Sequence, residues 1–176
     1  MNKSISQWQI AGFLFTSVAG TLLHFFFDWT GGNAVAALFS AVNESIWEHM
    51  KLLFYPVLLF ALVEFKTWGS GASCFWQIKL IGILVGLSLI PVFFYTYSGI
   101  LGVTADWFNI TIFFIAAAVA YRLETALFQR GFRCRLGSAG AVTILVLISL
   151  VFSFLTFFPP RIPFFEDPIT GAYGFQ

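Results

Sequence analysis

Charge is what this sequence has least of. Asp, Glu, Lys and Arg make up 10% of its 176 residues, and the net charge is +1. A soluble domain carries roughly 25% charged residues, so these few cannot cover a water-facing surface. The near-zero net charge also removes the electrostatic footprint of a nucleic-acid binder, which excludes nucleic acid as a partner. Cysteine is scarce too: Cys74 and Cys134 are the only two and form no C-x-x-C pair, so neither a redox motif nor a zinc ribbon is present. No internal repeat and no second domain is evident, and residues 1–176 read as one membrane domain. What the chain has instead is apolar bulk, with 59% hydrophobic residues, 24 phenylalanines and a mean hydropathy of +0.88. The bilayer is the solvent for most of this chain.

A membrane-spanning helix needs about 20 mostly apolar residues. Five stretches qualify, at about 8–27, 46–65, 75–97, 107–124 and 139–158. The first has a rival reading as a signal peptide with a small-x-small site at Ser17-Val18-Ala19, but the apolar core before that site is short, and an uncleaved anchor is preferred. Residues 34–42 are apolar but too few to cross, which suits a short re-entrant or interfacial helix. The predicted fold is therefore an all-α integral membrane bundle of five transmembrane helices, with a short helix after the first. Pro56 and Pro91 fall inside spans, where membrane helices tolerate a kink.

Lys and Arg are retained on the cytoplasmic side and orient the chain. Lys3 precedes the first span, Lys66 and Lys79 flank the loop between spans two and three, and Arg130, Arg133 and Arg135 fill the loop between spans four and five. The alternate loops at 28–43 and 98–106 contain neither residue, and Arg161 is the one exception. The expected location is the cell membrane, multi-pass, with the N-terminus cytoplasmic and the C-terminus extracytoplasmic. Both cysteines then lie at cytoplasmic loops, where thiols stay reduced, and no structural disulfide is expected.

This topology gathers polar residues at the outer ends of the first two spans. His24 and Asp28 form an i, i+4 pair closing span one. The run Asn43-Glu44-Ser45-Ile46-Trp47-Glu48-His49-Met50-Lys51 opens span two, with Glu44, Glu48 and Lys51 on one helix face. Two antiparallel helices thereby offer imidazole and carboxylate to a common point, as helix-bundle metal sites do. The candidate ligands are His24, Asp28, Glu48 and His49, for a divalent metal such as zinc, with manganese and iron chemically acceptable. The candidate catalytic residues are Glu44, Glu48 and Lys51, a buried carboxylate being tuned toward neutral pH as a general base.

A structural reading accounts for part of the same run. Ser45-x-x-Glu48 before an apolar stretch is a capping box, Asn43 is an alternative cap, and Glu44 in the first turn suits the helix dipole. Trp47 fits an interfacial belt and Lys51 can snorkel outward. A cap does not need Glu44, His49 and Lys51 as well, and ionisable residues near lipid normally face the protein interior and mark a site. Asp106 and Asn109 read as caps of the fourth span. Glu64 with Lys66, and Arg122 with Glu124, read as interfacial span ends. The Arg130–Arg135 cluster is a topology signal with anionic lipid as a second role.

His24-x-x-x-Asp28 followed by Asn43-Glu44-Ser45-x-Trp47-Glu48-His49-x-Lys51, with the ending Asp167-Pro168-Ile169-Thr170-Gly171-x-Tyr173-Gly174, resembles a family of small prokaryotic multi-pass membrane proteins of unknown function. The resemblance covers nearly the whole chain and implies an integral membrane protein without a catalytic assignment. Membrane metallohydrolases of the alkaline-ceramidase type also place His, Asp and Ser ligands between helices, but this chain lacks their late H-x-x-x-H pair and has fewer spans.

Three functions compete: a membrane-embedded hydrolase acting on a lipid or small molecule, a small transporter or proton-coupled permease, and a non-catalytic assembly or partner protein. Membrane lipids and a second copy of the chain are the expected partners. The Pro-rich tail, 159–176, is too proline-dense for a helix and too apolar for a free tail. It reads either as a lid folded over the outer end of the bundle or as an interfacial segment resting on lipid.

Overall fold

The computed structural model describes residues 2–175, with the side chains of Asn2 and Lys3 outside that description. The part of the orientation argument that rests on Lys3, and Gln176 of the tail, therefore lie outside the described residues. Among the described residues the protein is all-helical, with no strand beyond an isolated bridge between Glu166 and Tyr173. The order is α1 Asn2–Trp29, α2 Ala34–Ala37, α3 Ile46–Thr67, α4 Phe75–Leu101, α5 Asp106–Gln129 and α6 Ser138–Phe157. Five of these helices are long and apolar enough to cross a membrane.

Local chemistry explains the helix ends that outrun the apolar stretches. The fourth helix continues past Tyr97 until Gly102, whose φ of 68° stops it, while its N–H closes onto the Ser98 carbonyl. The fifth runs through the polar stretch at 122–129 to a Schellman turn. There Gly131 adopts φ 67°, Arg130 N–H bonds the Ala126 carbonyl, and Phe132 N–H bonds the Leu127 carbonyl. Helix α2 is shorter than the predicted 34–42, ending after one turn. Leu38 and Phe39 N–H close tight i−3 bonds to Val35 and Ala36, and the Ala37 carbonyl is taken by the Lys51 ammonium, so no further turn can form on it.

The surface is apolar where that of a water-soluble bundle is charged. Ile10, Leu14, Val18 and Leu22, spaced by four on α1, are all at least half exposed, whereas Gln9, Thr16, Glu48, Lys51, Glu64, Lys79 and Glu124 are buried. An outward stripe of branched aliphatics, with ionisable side chains held inside a largely apolar core, is the arrangement a hydrocarbon solvent selects. Helix α1 lies against α3 and α5, α4 pairs with α5, and α6 closes on α4. Gly12 lets α1 sit close, since a Cβ there would meet Phe60 and Tyr121 rings at 2.6–2.8 Å.

Two expectations need correction. Cys74 and Cys134 form a disulfide. Cys74 precedes α4 and Cys134 follows α5, and because these neighbours are antiparallel both residues reach the same end, with Cα atoms 5.3 Å apart. Nor do Glu64 and Glu124 sit at an interface: both are fully buried, and each pairs with buried Lys79.

The tail folds back onto the bundle. Phe164 and Phe165 pack on Trp47, Trp47 N–H donates to the Phe164 carbonyl (3.3 Å), and Phe175 N–H donates to the Thr156 carbonyl (2.8 Å). Asn43 holds the Gly174 carbonyl at 3.3 Å. Buried Asp167 shapes the turn, accepting from Ile169 N–H and the Thr170 hydroxyl.

Candidate functional site

The start of α3 builds the site. Asn43 Oδ1 accepts from Ser45 N–H (3.0 Å) in an Asx turn that fixes the approach to the helix. Ser45 is the N-cap, its hydroxyl accepting from Glu48 N–H at 3.3 Å. The Glu48 side chain does not reach back to Ser45 N–H, so the capping box is one-sided. Instead the Ser45 carbonyl accepts from His49 Nδ1 (2.9 Å). A carbonyl oxygen only accepts, so Nδ1 carries the proton and Nε2 is the free nitrogen of the ring in its neutral form.

That nitrogen faces Glu44. Glu44 Oε2 lies 3.3 Å from His49 Nε2 and 3.7 Å from His24 Nε2. The two imidazole rings meet edge-on with centroids 5.3 Å apart. One donor atom from each of His24, Glu44 and His49 falls within a common 4.8 Å, and all three residues are half-buried. With the histidines in their imidazolium form, the Glu44 carboxyl is held below the ordinary carboxylate range, first by the hydrogen bond from His49, with the charges of both histidines adding and partial burial opposing.

These groups open on a cavity of about 380 Å³ between α1 and α5. Phe25, Ile110, Phe113 and Phe114 supply apolar wall, Asp106 and Asn109 add polar groups from α5, and Ile169 of the tail closes one side.

Of the residues expected at this point, His24 and His49 meet, and Glu44 joins them. Asp28 is exposed one turn beyond His24, with no side-chain link to the cluster among the described contacts. Glu48 and Lys51 form a separate buried network. Lys51 Nζ bonds Glu48 Oε2 (2.6 Å), the Ala37 carbonyl (2.8 Å) and the Thr156 hydroxyl (2.9 Å), which uses all three ammonium protons. Thr156 in turn donates to Glu48 Oε1 (2.8 Å), and Val42 N–H donates to Glu48 Oε2 (3.1 Å). The geometry thus offers His24 and His49 with Glu44, where the sequence suggested His24 and His49 with Asp28 and Glu48.

A second polar cluster escaped the sequence reading. Lys79 of α4 bridges Glu64 of α3 and Glu124 of α5, and Gln9 of α1 donates to Glu64 Oε1 at 2.8 Å. The available signal was the depth of Lys79, four residues inside an apolar span, where a lone ammonium needs a partner.

A family model described as "Family of unknown function (DUF6512)" matches residues 1–175, and the chain belongs to that family. No curated protein and no solved structure matches it.

Proposed function

We propose that this member of the family binds one divalent metal ion of the zinc class at His24, Glu44 and His49, and uses it to hydrolyse an amphiphilic substrate taken from the membrane. The observation that carries the reading is the orientation of His49. With its Nδ1 proton committed to the Ser45 carbonyl, its Nε2 and the Glu44 carboxylate are two acceptors 3.3 Å apart. A cation belongs between them. Ligand atoms on a tetrahedron with bonds of about 2.0–2.1 Å stand roughly 3.3–3.4 Å apart, close to the 3.3 and 3.7 Å separations from Glu44 Oε2. The hydrogen bond that His49 Nδ1 donates to the Ser45 carbonyl supplies the outer support that fixes a ligand imidazole's tautomer and ring direction.

Two histidines and one carboxylate form the donor set of a catalytic zinc site with a fourth position for water. An ion held by His24, Glu44 and His49 would lower the pKa of a coordinated water toward neutrality and so supply the nucleophile for an ester carbonyl. Asp106, the other carboxylate lining the cavity, would take the proton from that water and return it to the departing alcohol. The Phe25, Phe113 and Phe114 walls suit an acyl chain or another apolar group. Glu48 and Lys51 serve as supports rather than reacting groups, since both are buried within a closed network.

The alternative cation is a proton. A His49 imidazolium paired with Glu44 would make the cluster a polar lock, in keeping with the assembly reading. The exposed basic residues Lys66, Arg130, Arg133 and Arg135 cluster at the opposite end and favour a cytoplasmic N-terminus, with the metal site extracytoplasmic.

The test is ester and phospholipid hydrolysis in mixed micelles by zinc-loaded protein. Asp106→Asn is expected to lower turnover by about 10²-fold or more, the scale of a lost general base, and His49→Ala to remove metal-dependent turnover by deleting a ligand. Turnover equal in wild type and His49→Ala, or none in zinc-loaded wild type, would contradict the hydrolase reading.

A further inference from the structure

The second polar cluster lies near the other end of the bundle. Glu64 follows His49 by fifteen positions on α3, about 22 Å at the helical rise. We infer that Glu64, Lys79 and Glu124 together hold one exchangeable proton at neutral pH, carried between the two carboxylates, and that Gln9 links it to a cleft between α1 and α5. This is a proton-binding site independent of the metal site.

The charge count is the first observation. Two carboxylates face one ammonium, and all three side chains have zero exposure. Fully ionised, the cluster would keep one unit of negative charge away from water and facing a single cation. An uncompensated buried ion costs several kcal/mol, and uptake of one proton makes the cluster neutral. Other neighbours supply no second cation. From α5, the Tyr121 ring lies 5.4 Å from Lys79 Nζ and its hydroxyl bonds Thr16 of α1. From α4, the Phe75 ring lies 5.8 Å from Nζ. From α1 comes the neutral amide of Gln9. Arg122 and Lys66 are exposed and form no ion pair with either carboxylate among the described contacts.

Each acid keeps one oxygen outside any hydrogen bond. Glu64 accepts the Gln9 amide on Oε1, while its Oε2 meets Lys79 as an ion pair and has no hydrogen-bond partner. Glu124 receives Lys79 on Oε2 at 2.6 Å, while its Oε1 is buried without any partner. A buried oxygen without a donor is the natural seat of the proton. Space is made for it by Gly82, one turn beyond Lys79, where a Cβ would collide with Glu124 Oε1, Cγ and Cδ.

The route outward is also built. A cleft of about 450 Å³ lies between α1 and α5, lined by Ser6, Gln9, Tyr121, Arg122 and Thr125 among others. Gln9 belongs to both its lining and the cluster, and its Oε1 is likewise buried without a hydrogen-bond partner. Its amide therefore has a free acceptor with which to relay a proton from water in the cleft.

Infrared spectroscopy of the purified full chain reads this directly through the carboxylic-acid carbonyl band. The expected wild-type spectrum at pH near 7 contains a protonated carboxyl from this cluster that shifts in D₂O. Glu124→Gln and Glu64→Gln should each remove that band, because the remaining carboxylate pairs with Lys79. Lys79→Met should roughly double it, because both acids become neutral. Gln9→Leu should slow its exchange at least tenfold. Absence of the band in wild type, which needs no variant to fold, overturns the inference, as does a band that persists in both Gln variants. An exchange rate unchanged in Gln9→Leu overturns the assigned route.

Discussion

His49 binds the Ser45 carbonyl through Nδ1 at 2.9 Å while its Nε2 stands 3.3 Å from Glu44 Oε2. Cap and candidate site are thus one device. Ser45 ends the loop with its hydroxyl on Glu48 N–H, and with its carbonyl it aims the imidazole at Glu44. Features that compete as explanations along the sequence are cooperative in space: the cap fixes the first turn of α3, and that turn sets the direction of the His49 imidazole.

Replacing Glu48 by Gln should cost stability rather than metal. The change leaves the Lys51 ammonium, at zero exposure, without its carboxylate. Breaking a buried pair typically costs about 3–5 kcal/mol. Unfolding of detergent-solubilised protein should shift by that scale, with metal bound at His24, Glu44 and His49 unchanged. Unaltered stability would show that Lys51 finds enough in Ala37 and Thr156 alone.

Acid should release the metal through the imidazoles. Glu44 titrates below the ordinary carboxylate range, so its contribution to the fold is present above the unfolded value and is lost only as pH falls through the lower folded value. Neutral imidazole is the metal-binding form, so protons displace a metal from histidine before they reach the depressed Glu44 carboxylate. Zinc retention, measured across about pH 8 to 4, should therefore fail above about pH 5. A midpoint at or below about pH 4 would make the carboxylate the controlling group.

Orientation pits two signals against each other. Exposed Lys66, Arg130, Arg133 and Arg135 draw their end of the bundle inward, yet the Cys74–Cys134 bond at the same end is at home in an oxidising compartment. The basic residues act during insertion and are expected to prevail. Reporter fusions after residue 175 should be active outside the cytoplasm and fusions near residue 137 inside it. The reverse pattern would place the disulfide end outside and the histidine site within.

Truncation at Phe158 should loosen the start of α3. Trp47 would lose Phe164 and Phe165, Asn43 would lose the Gly174 carbonyl, and the cavity would lose Ile169. Lower thermal stability and weaker zinc affinity are expected together. A truncated protein matching the full chain in both would reduce the tail to a surface segment.

The spans were legible because apolar runs of this length have one common use in a lipid solvent. All five appear, with α5 extended past Glu124 because Arg122 and Glu124 resemble an interfacial end when read along the chain. The same local reading hid the inner cluster. Glu64 beside Lys66, and Glu124 beside Arg122, suggest near neighbours, whereas packing pairs both acids with Lys79 from α4. At the outer end, His24 and Asp28 form an obvious helical pair, yet Glu44 takes the partner's place because the loop before α3 swings it toward both rings. Sequence spacing reports what one helix can align. It is silent on which face a neighbouring helix presents.

The central claim is a metal ion held by three residues from two segments. Elemental analysis of protein purified without chelator tests it directly, with wild type beside monodisperse His24→Ala, Glu44→Ala and His49→Ala. Near-stoichiometric zinc, manganese or iron in wild type, lost in all three variants and retained in Glu48→Gln, is the predicted result. Well-folded wild type without metal, or metal that survives every one of the three substitutions, would contradict it.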